Sequence, residues 1–324
     1  MIDLKDPNNQ VSDKEKQIQQ TDNIEILKME LNKGVEITPE IKEKSKLTKD
    51  EWREWTKTVW SIANTSSKDH PAVFPVEIPY RLIRMSSYYG ETVIDPFNGL
   101  GTTGVAALQC GRKYIGFDTN KDYIDTSRRR LEELDFENQL KNYYLFNESS
   151  CGNIMKSIPD NSIGTIVTSP PYWNKADYGD FEGNIGNLEK YDEFLDNVKE
   201  VFEECYRVLM PGRRLNVITA NVNQKTTQGL LTFPIAADLI KKAQEVGFYL
   251  VNELIWSKDG TGGKWGSSGK QRPIFGSYPY PPNFLYKNVH EYIIILRKPS
   301  DKKSSNAPEY ENLFSGEPHT KIIK

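Results

Sequence analysis

The sequence predicts an α/β fold with a mostly parallel seven-stranded sheet that ends in an antiparallel last strand pair. Three observations carry this reading. Short β-branched and aromatic runs alternate with segments of helical period from residue 92 to residue 256. A strand, a glycine-bearing turn and a helix start follow one another directly over residues 92–103. The connection between the last two strands, residues 257–290, is full of Gly and Pro and has no helical period, so it cannot be a crossover helix and leaves those strands antiparallel.

In chain order, residues 1 to about 50 are rich in Lys, Glu, Asn and Gln, with sparse apolar positions at Ile24, Ile26, Leu27 and Leu31. They read as a disordered leader passing into an amphipathic helix. Trp52, Trp55 and Trp60, then a Pro-rich stretch over residues 70–79, mark the start of the main domain. Strands are expected at 92–94, 114–117, 143–146, 165–168, 215–219, 248–256 and 291–296, and helices at 102–109, 123–134, 191–209 and 233–246. The boundaries that follow are 1–51 for the leader, 52–298 for the main domain with an inserted loop at 258–288, and 299–324 for a polar tail.

With 324 residues the chain can bury a sizeable core, and 37% hydrophobic with 27% charged residues is the balance of a soluble globular protein. No apolar run approaches the roughly 20 residues needed to span a bilayer, and residues 1–20 contain no apolar core of a secretory signal, so a cytoplasmic protein with no membrane role is expected. Cys110, Cys151 and Cys205 lack paired spacing and read as reduced thiols. Three histidines without clustered acids or thiols predict no metal site. A net charge of −3 argues against a protein that coats nucleic acid, so any nucleic-acid contact must use a local positive patch.

The run Thr92-Val93-Ile94-Asp95-Pro96-Phe97-Asn98-Gly99-Leu100-Gly101-Thr102-Thr103 places glycines before a helix N-terminus. Such a turn lets the backbone approach a ligand, while the helix offers free N–H groups. The next strand ends in Asp118, about 20 residues on, where a carboxylate can accept both hydroxyls of a ribose. The alternatives are a plain tight turn at Gly99 and Gly101, and a helix N-cap at Asp118. A second motif, Thr168-Ser169-Pro170-Pro171-Tyr172-Trp173, follows the strand at 165–168. Two prolines hold the backbone extended with carbonyl oxygens free, and the aromatic pair offers a face for a planar ring. The Ser169 hydroxyl and Pro170 carbonyl could together hold the two hydrogens of an amino group conjugated to a ring, so that positioning and electrostatics make its nitrogen nucleophilic. The alternative is a Pro-Pro turn capped by surface aromatics.

These motifs resemble those of the N4-cytosine and N6-adenine DNA methyltransferases of restriction-modification systems. Asp95 to Thr103 looks like that family's cofactor motif, and Thr168 to Trp173 like its catalytic motif. The segment His70-Pro71-Ala72-Val73-Phe74-Pro75 resembles the one that closes over the methionine end of the cofactor, and 254–258 with 289–298 the strand pair that walls the base pocket. The resemblance implies a Rossmann-like S-adenosylmethionine-dependent methyltransferase fold with S-adenosyl-L-methionine as cofactor. It also implies double-stranded DNA as substrate and a cognate restriction endonuclease as functional partner. It assigns cofactor contacts to His70, Pro71, Phe74, Asp95, Pro96, Phe97, Gly99, Gly101, Thr102, Thr103, Asp118 and Thr168, and catalysis to Ser169, Pro170, Pro171 and Tyr172.

Ser in the catalytic motif followed by Trp leans towards cytosine N4, with adenine N6 as the alternative and an RNA, a protein amide or a non-catalytic DNA-binding module behind it. The chain departs from the family in carrying the cofactor motif first. It has Ser150 and Gly164 where relatives usually place acids. Because the target nitrogen is paired inside the duplex, the base must be rotated out. Trp173, Asn174, Lys175 and Tyr178 are expected to contact it. Trp256 is expected to contact substrate as well, and in the loop that it opens Lys258, Lys264, Lys270 and Arg272 are expected on phosphates, with Gln271 or Arg272 on base edges, unless that loop is simply solvated. The sequence does not choose between monomer and dimer.

Overall fold

A computed structural model describes residues 24–64, 74–134, 142–174, 183–258, 279–280, 286 and 288–300. Helix α1 covers residues 24–33, followed by α2 (Pro39–Ser45), α3 (Lys49–Trp55), strand β1 (Val59–Ser61) and α4 (Glu77–Ser86). Then come β2 (Thr92–Asp95), α5 (Thr102–Gln109), β3 (Lys113–Phe117), α6 (Lys121–Glu132), β4 (Tyr143–Phe146), α7 (Asn153–Ser157) and β5 (Ile163–Thr168). The remainder is α8 (Tyr191–Val208), β6 (Leu209–Thr219), β7 (Val222–Thr226), β8 (Gly229–Phe233), α9 (Ile235–Val246), β9 (Tyr249–Ser257) and β10 (His290–Arg297).

The main sheet has the order β1-β9-β10-β6-β5-β2-β3-β4. Every neighbouring pair is parallel except those made by β10, which runs antiparallel to both β6 and β9. The expected seven strands are all present, and an eighth, the three-residue β1, adds to the edge of β9. Strands β7 and β8 form a separate hairpin between β6 and α9 that the sequence reading did not anticipate.

Helices cover both faces because the central strands are apolar on both. In β2, Val93 joins one buried cluster with Ala106 of α5 and Ile83 of α4, while Ile94 joins the other with Phe202 of α8 and Leu239 of α9. Helix α8 shows the pattern most clearly. Phe194, Leu195, Val198, Val201, Phe202, Cys205 and Val208 recur at helical spacing and are all buried. The amphipathic helix expected near residues 24–31 is α1, whose Leu27 and Leu31 are buried in the same cluster as Tyr144 and Phe146 of β4.

The strand order fixes where a ligand can bind. The chain leaves β2 for β3 on one side, whereas β5 lies on the other, so the carboxyl ends of β2, β3, β4 and β5 surround a crevice at the point where the order reverses. Because β10 is antiparallel, its first residues, His290 and Glu291, reach this same edge of the sheet.

Candidate active site

The loops after these four strand ends wall one cavity, enclosing about 980 Å³ with its open mouth included. Its lining brings the two sequence motifs together: Pro96, Phe97, Gly99 and Thr102 on one wall, Ser169, Pro170, Pro171 and Tyr172 on another, with Asp118 and Phe74 between.

The glycine turn is shaped from below. Asn98 is buried, and its N–H donates to the Phe117 carbonyl at 2.8 Å. Its side-chain oxygen accepts from the Tyr114 hydroxyl at 2.8 Å and the Ser127 hydroxyl at 3.3 Å, and its amide donates to the Gly99 carbonyl at 2.6 Å. Gly101 caps α5 at φ 74°, and a Cβ there would lie 2.1 Å from the Ser127 hydroxyl oxygen, so glycine is required on both counts.

Asp118 is held by the same turn. Its two carboxylate oxygens accept the N–H of Gly99 at 2.7 Å and of Asn120 at 2.9 Å. Burial pushes its carboxyl up to about 6, partly opposed by these two N–H groups. The N-cap of α6 is Asn120 rather than Asp118, accepting from Asp122 N at 2.9 Å, which leaves Asp118 facing the cavity.

Some residues expected to touch ligand lie behind the cavity lining. Asp95 is 1% exposed and accepts from the Thr168 hydroxyl at 2.6 Å and Phe97 N at 3.0 Å. Burial raises its carboxyl to about 6 against these bonds. Thr103 is fully buried in the first turn of α5. Asp95, Gly101, Thr103 and Thr168 thus stand behind the cavity lining.

Three expected substrate contacts are corrected. Trp173 is buried against Tyr191 and Phe233, with ring centroids 4.9 and 4.7 Å away, and its indole N–H donates to the Leu188 carbonyl, so its face is closed to a base. Trp256 is 1% exposed and donates its indole N–H to the Ile62 carbonyl at 2.8 Å, which makes it part of the core. Lys258 ion-pairs with Glu291 and lies over the Trp256 ring, so its charge is engaged within the protein rather than presented to phosphate. The two indoles follow the burial of large apolar side chains, and the lysine is drawn in by its pairing with Glu291.

Asn174 is exposed beside the mouth at φ 48°, with its N–H bonded to the Gly186 carbonyl. Lys175, Tyr178, Lys264, Lys270, Arg272, His70 and Pro71 lie outside the described residues.

The cavity also uses residues the motifs did not point to, namely Asn120, Tyr123, Glu148, Ser149 and the 183–185 segment. The rule that ligands bind at the carboxyl ends of parallel strands would have flagged the residues after β4. Ser150 does line the cavity, and Glu148, two residues earlier, brings a carboxylate to the same wall. Gly164 lies near the start of β5, away from the site, and is packed so that a Cβ would be 2.8 Å from that of Glu91.

The sequence profile of the N6/N4 DNA methylases matches residues 5–129 and 163–321, most of the chain. This chain belongs to the DNA methylase family. Among curated relatives, the type II methyltransferase M.BglI of Bacillus subtilis is 40% identical over 92 residues, covering 28% of this chain and 26% of that protein. The type II methyltransferase M.MjaI of Methanocaldococcus jannaschii is 43% identical over 83 residues, covering 24% and 27%. The matched segments therefore span only about a quarter of those relatives' length. Among solved structures, an S-adenosylmethionine-dependent O-methyltransferase of Thermotoga maritima aligns with 73% of this DNA methylase and 70% of its own chain, at 12% identity and a TM-score of 0.41. No helix of the methylase's described residues is long and apolar enough to cross a membrane.

Proposed function

We propose that this DNA methylase transfers the methyl group of S-adenosyl-L-methionine to the exocyclic N4 amino group of cytosine in duplex DNA. The observation that carries the reading is that Asp118 and the glycine turn share one cavity with the Ser169 to Tyr172 acceptor motif. The donor set fits the cofactor. Asp118 presents a carboxylate for ribose hydroxyls, Gly99 and Gly101 keep the turn free of side chains, and Phe74 and Phe97 add apolar surface. When bound, the cofactor supplies an electrophilic methyl group on a sulfonium sulfur.

The protein's part is to hold the amino nitrogen. An amino group conjugated to a base is a poor nucleophile until its hydrogens are held out of the ring plane. The Ser169 hydroxyl oxygen and the Pro170 carbonyl accept those two hydrogens, and the prolines fix the spacing of the pair. In the methyl transfer the N–C bond would form as the methyl–sulfur bond breaks, leaving a neutral thioether, and the proton shed by the nitrogen would pass through the Ser169 hydroxyl to water. Tyr172 offers the face on which the rotated base stacks.

Residues 259–288, with Lys264, Lys270 and Arg272, and residues Lys175 and Tyr178 supply the DNA contacts in this reading. The family and the type II relatives support a role beside a restriction endonuclease, with the modification protecting host DNA. The test is to incubate the chain with labelled S-adenosylmethionine and unmethylated duplexes of varied sequence, digest to nucleosides and identify the labelled one by mass spectrometry. N4-methylcytosine is expected. N6-methyladenine would keep the mechanism and change the base, and no label in DNA would overturn the reading.

A further inference from the structure

Tyr172 stands on irregular backbone beyond the end of β5, and the two prolines before it restrain φ at their own positions only. Its ring is aimed from elsewhere. The Tyr172 hydroxyl donates to Glu291 Oε2 at 2.7 Å, across the width of β6, and the other oxygen of that carboxylate accepts from the Lys258 ammonium. Lys258 is itself placed by the end of β9. Its backbone N–H donates to the Val289 carbonyl at 2.8 Å, and its ammonium lies 4.5 Å from the centre of the buried Trp256 ring. The Glu291 and Lys258 side chains are only 12% and 13% exposed. The tie therefore reaches from the cavity wall to two strands of the far half of the sheet, β9 and β10.

We infer that Glu291 is a positioning residue that fixes the ring of Tyr172 at the base face of the cavity, and that Lys258 holds the Glu291 carboxylate in place for that task. This rests on the methyl-transfer reading and adds to it a residue pair that touches neither substrate nor cofactor. The physical case is as follows. The first side-chain torsion of a tyrosine on irregular backbone has more than one staggered well, and a change of well swings the whole ring. A hydrogen bond from the hydroxyl to an ionised acceptor is short and directional, and pins the far end of the ring. A largely buried ion pair contributes little net stability against an apolar replacement of the same shape. Antiparallel β10 is what makes the arrangement possible, because only a strand of that direction begins at the edge where β5 ends.

The test compares the full-length wild type with Glu291→Met, Glu291→Gln, Tyr172→Phe and the Tyr172→Phe/Glu291→Met double variant. Methyl transfer to duplex DNA is measured at saturating cofactor, and a tyrosine-labelled NMR experiment follows the ring resonance that Tyr172→Phe removes. Glu291→Met is expected to lower kcat about tenfold, the size of effect that loosened positioning produces, while the KM for S-adenosylmethionine stays within about twofold. Glu291→Gln, which keeps an acceptor oxygen for the hydroxyl, recovers most of that loss. The double variant is no slower than Tyr172→Phe alone. The Tyr172 ring resonance is single and sharp in the wild type and shifts or broadens in Glu291→Met as the side chain samples a second well. Losses that multiply in the double variant, or a kcat unchanged in Glu291→Met, overturn the inference. If the wild type methylates no base, the functional reading fails instead. The positioning inference is then decided by the ring signals alone, and a Tyr172 resonance unchanged in Glu291→Met overturns it.

Discussion

Thr168 Oγ donates to Asp95 Oδ1 at 2.6 Å, so the last residue of the strand leading into the acceptor motif is latched to the last residue of the strand leading into the glycine turn. Both ends of the latch are almost wholly buried. Thr168→Val keeps the shape and removes the donor, and is expected to destabilise the fold by about 1–3 kcal/mol, because a buried carboxyl loses its hydroxyl partner. Denaturant unfolding checks this, and an unchanged midpoint would refute the latch.

Asp95 and Asp118 dictate a pH dependence. Both carboxyls are raised by burial from 3.8 to about 6. A folded-state value above the unfolded one means that the proton favours folding. Their contribution to stability is therefore fullest below about pH 4 and is lost as the pH climbs towards 6. For Asp95 the change is on the order of 3 kcal/mol. Asp95→Asn should flatten that part of the stability profile, as measured by urea unfolding between pH 4 and 8.

Ligand binding runs the other way. Asp118 must be ionised to accept two hydroxyls, so affinity for S-adenosylmethionine is expected to weaken by about tenfold per pH unit below about 6. Calorimetric titration from pH 5 to 8 reads the slope. Asp118→Asn should bind weakly at every pH with no such slope.

Gly101→Ala combines a left-handed backbone, worth about 1–2 kcal/mol, with the collision against Ser127. The variant is expected to lose at least that much stability, and Ser127→Gly in the same chain should restore the part due to the collision but not the backbone part. A melting series of the two single variants and the double variant separates them.

Ser169→Ala removes one of the two proposed acceptors and leaves the turn and Asp118 untouched. Methyl transfer should fall by about 10²–10³-fold while the dissociation constant for S-adenosylmethionine stays the same. A parallel loss of cofactor binding would show that Ser169 serves the other half of the cavity.

Much of the architecture was legible because its causes are local. The limits of α5 follow from the glycine turn before it and those of β4 from an all-apolar run, and both helix and strand match the sequence reading residue for residue. The antiparallel β9–β10 pair followed from the absence of a helical period in the sequence between the two strands. What was missed depends on partners distant in sequence. Helix α4 hides behind its own Pro79, a residue tolerated in a first turn. β1 is three residues that form a strand only because β9 offers an edge. The β7–β8 hairpin has a polar first strand and a second that leaves Leu230 and Leu231 exposed, and is held by Phe233 against Trp173 and by Gln224, which donates to the Asn174 carbonyl. The candidate site was legible where a motif supplies it, and illegible at Glu148 and Glu291, whose neighbourhood only the assembled sheet creates.

The hydrogen bonds that converge on Asn98 bear on how fast and how tightly the turn above it can be occupied. A loop that must be ordered by its ligand gives up conformational entropy at the moment of binding, and that loss is subtracted from the contact energy. Here the ordering is completed during folding, by Tyr114 from the neighbouring strand and Ser127 from the following helix. An arriving molecule meets a rigid receptor, so association at this end of the cavity proceeds without an induced rearrangement, and selectivity there comes from shape already in place.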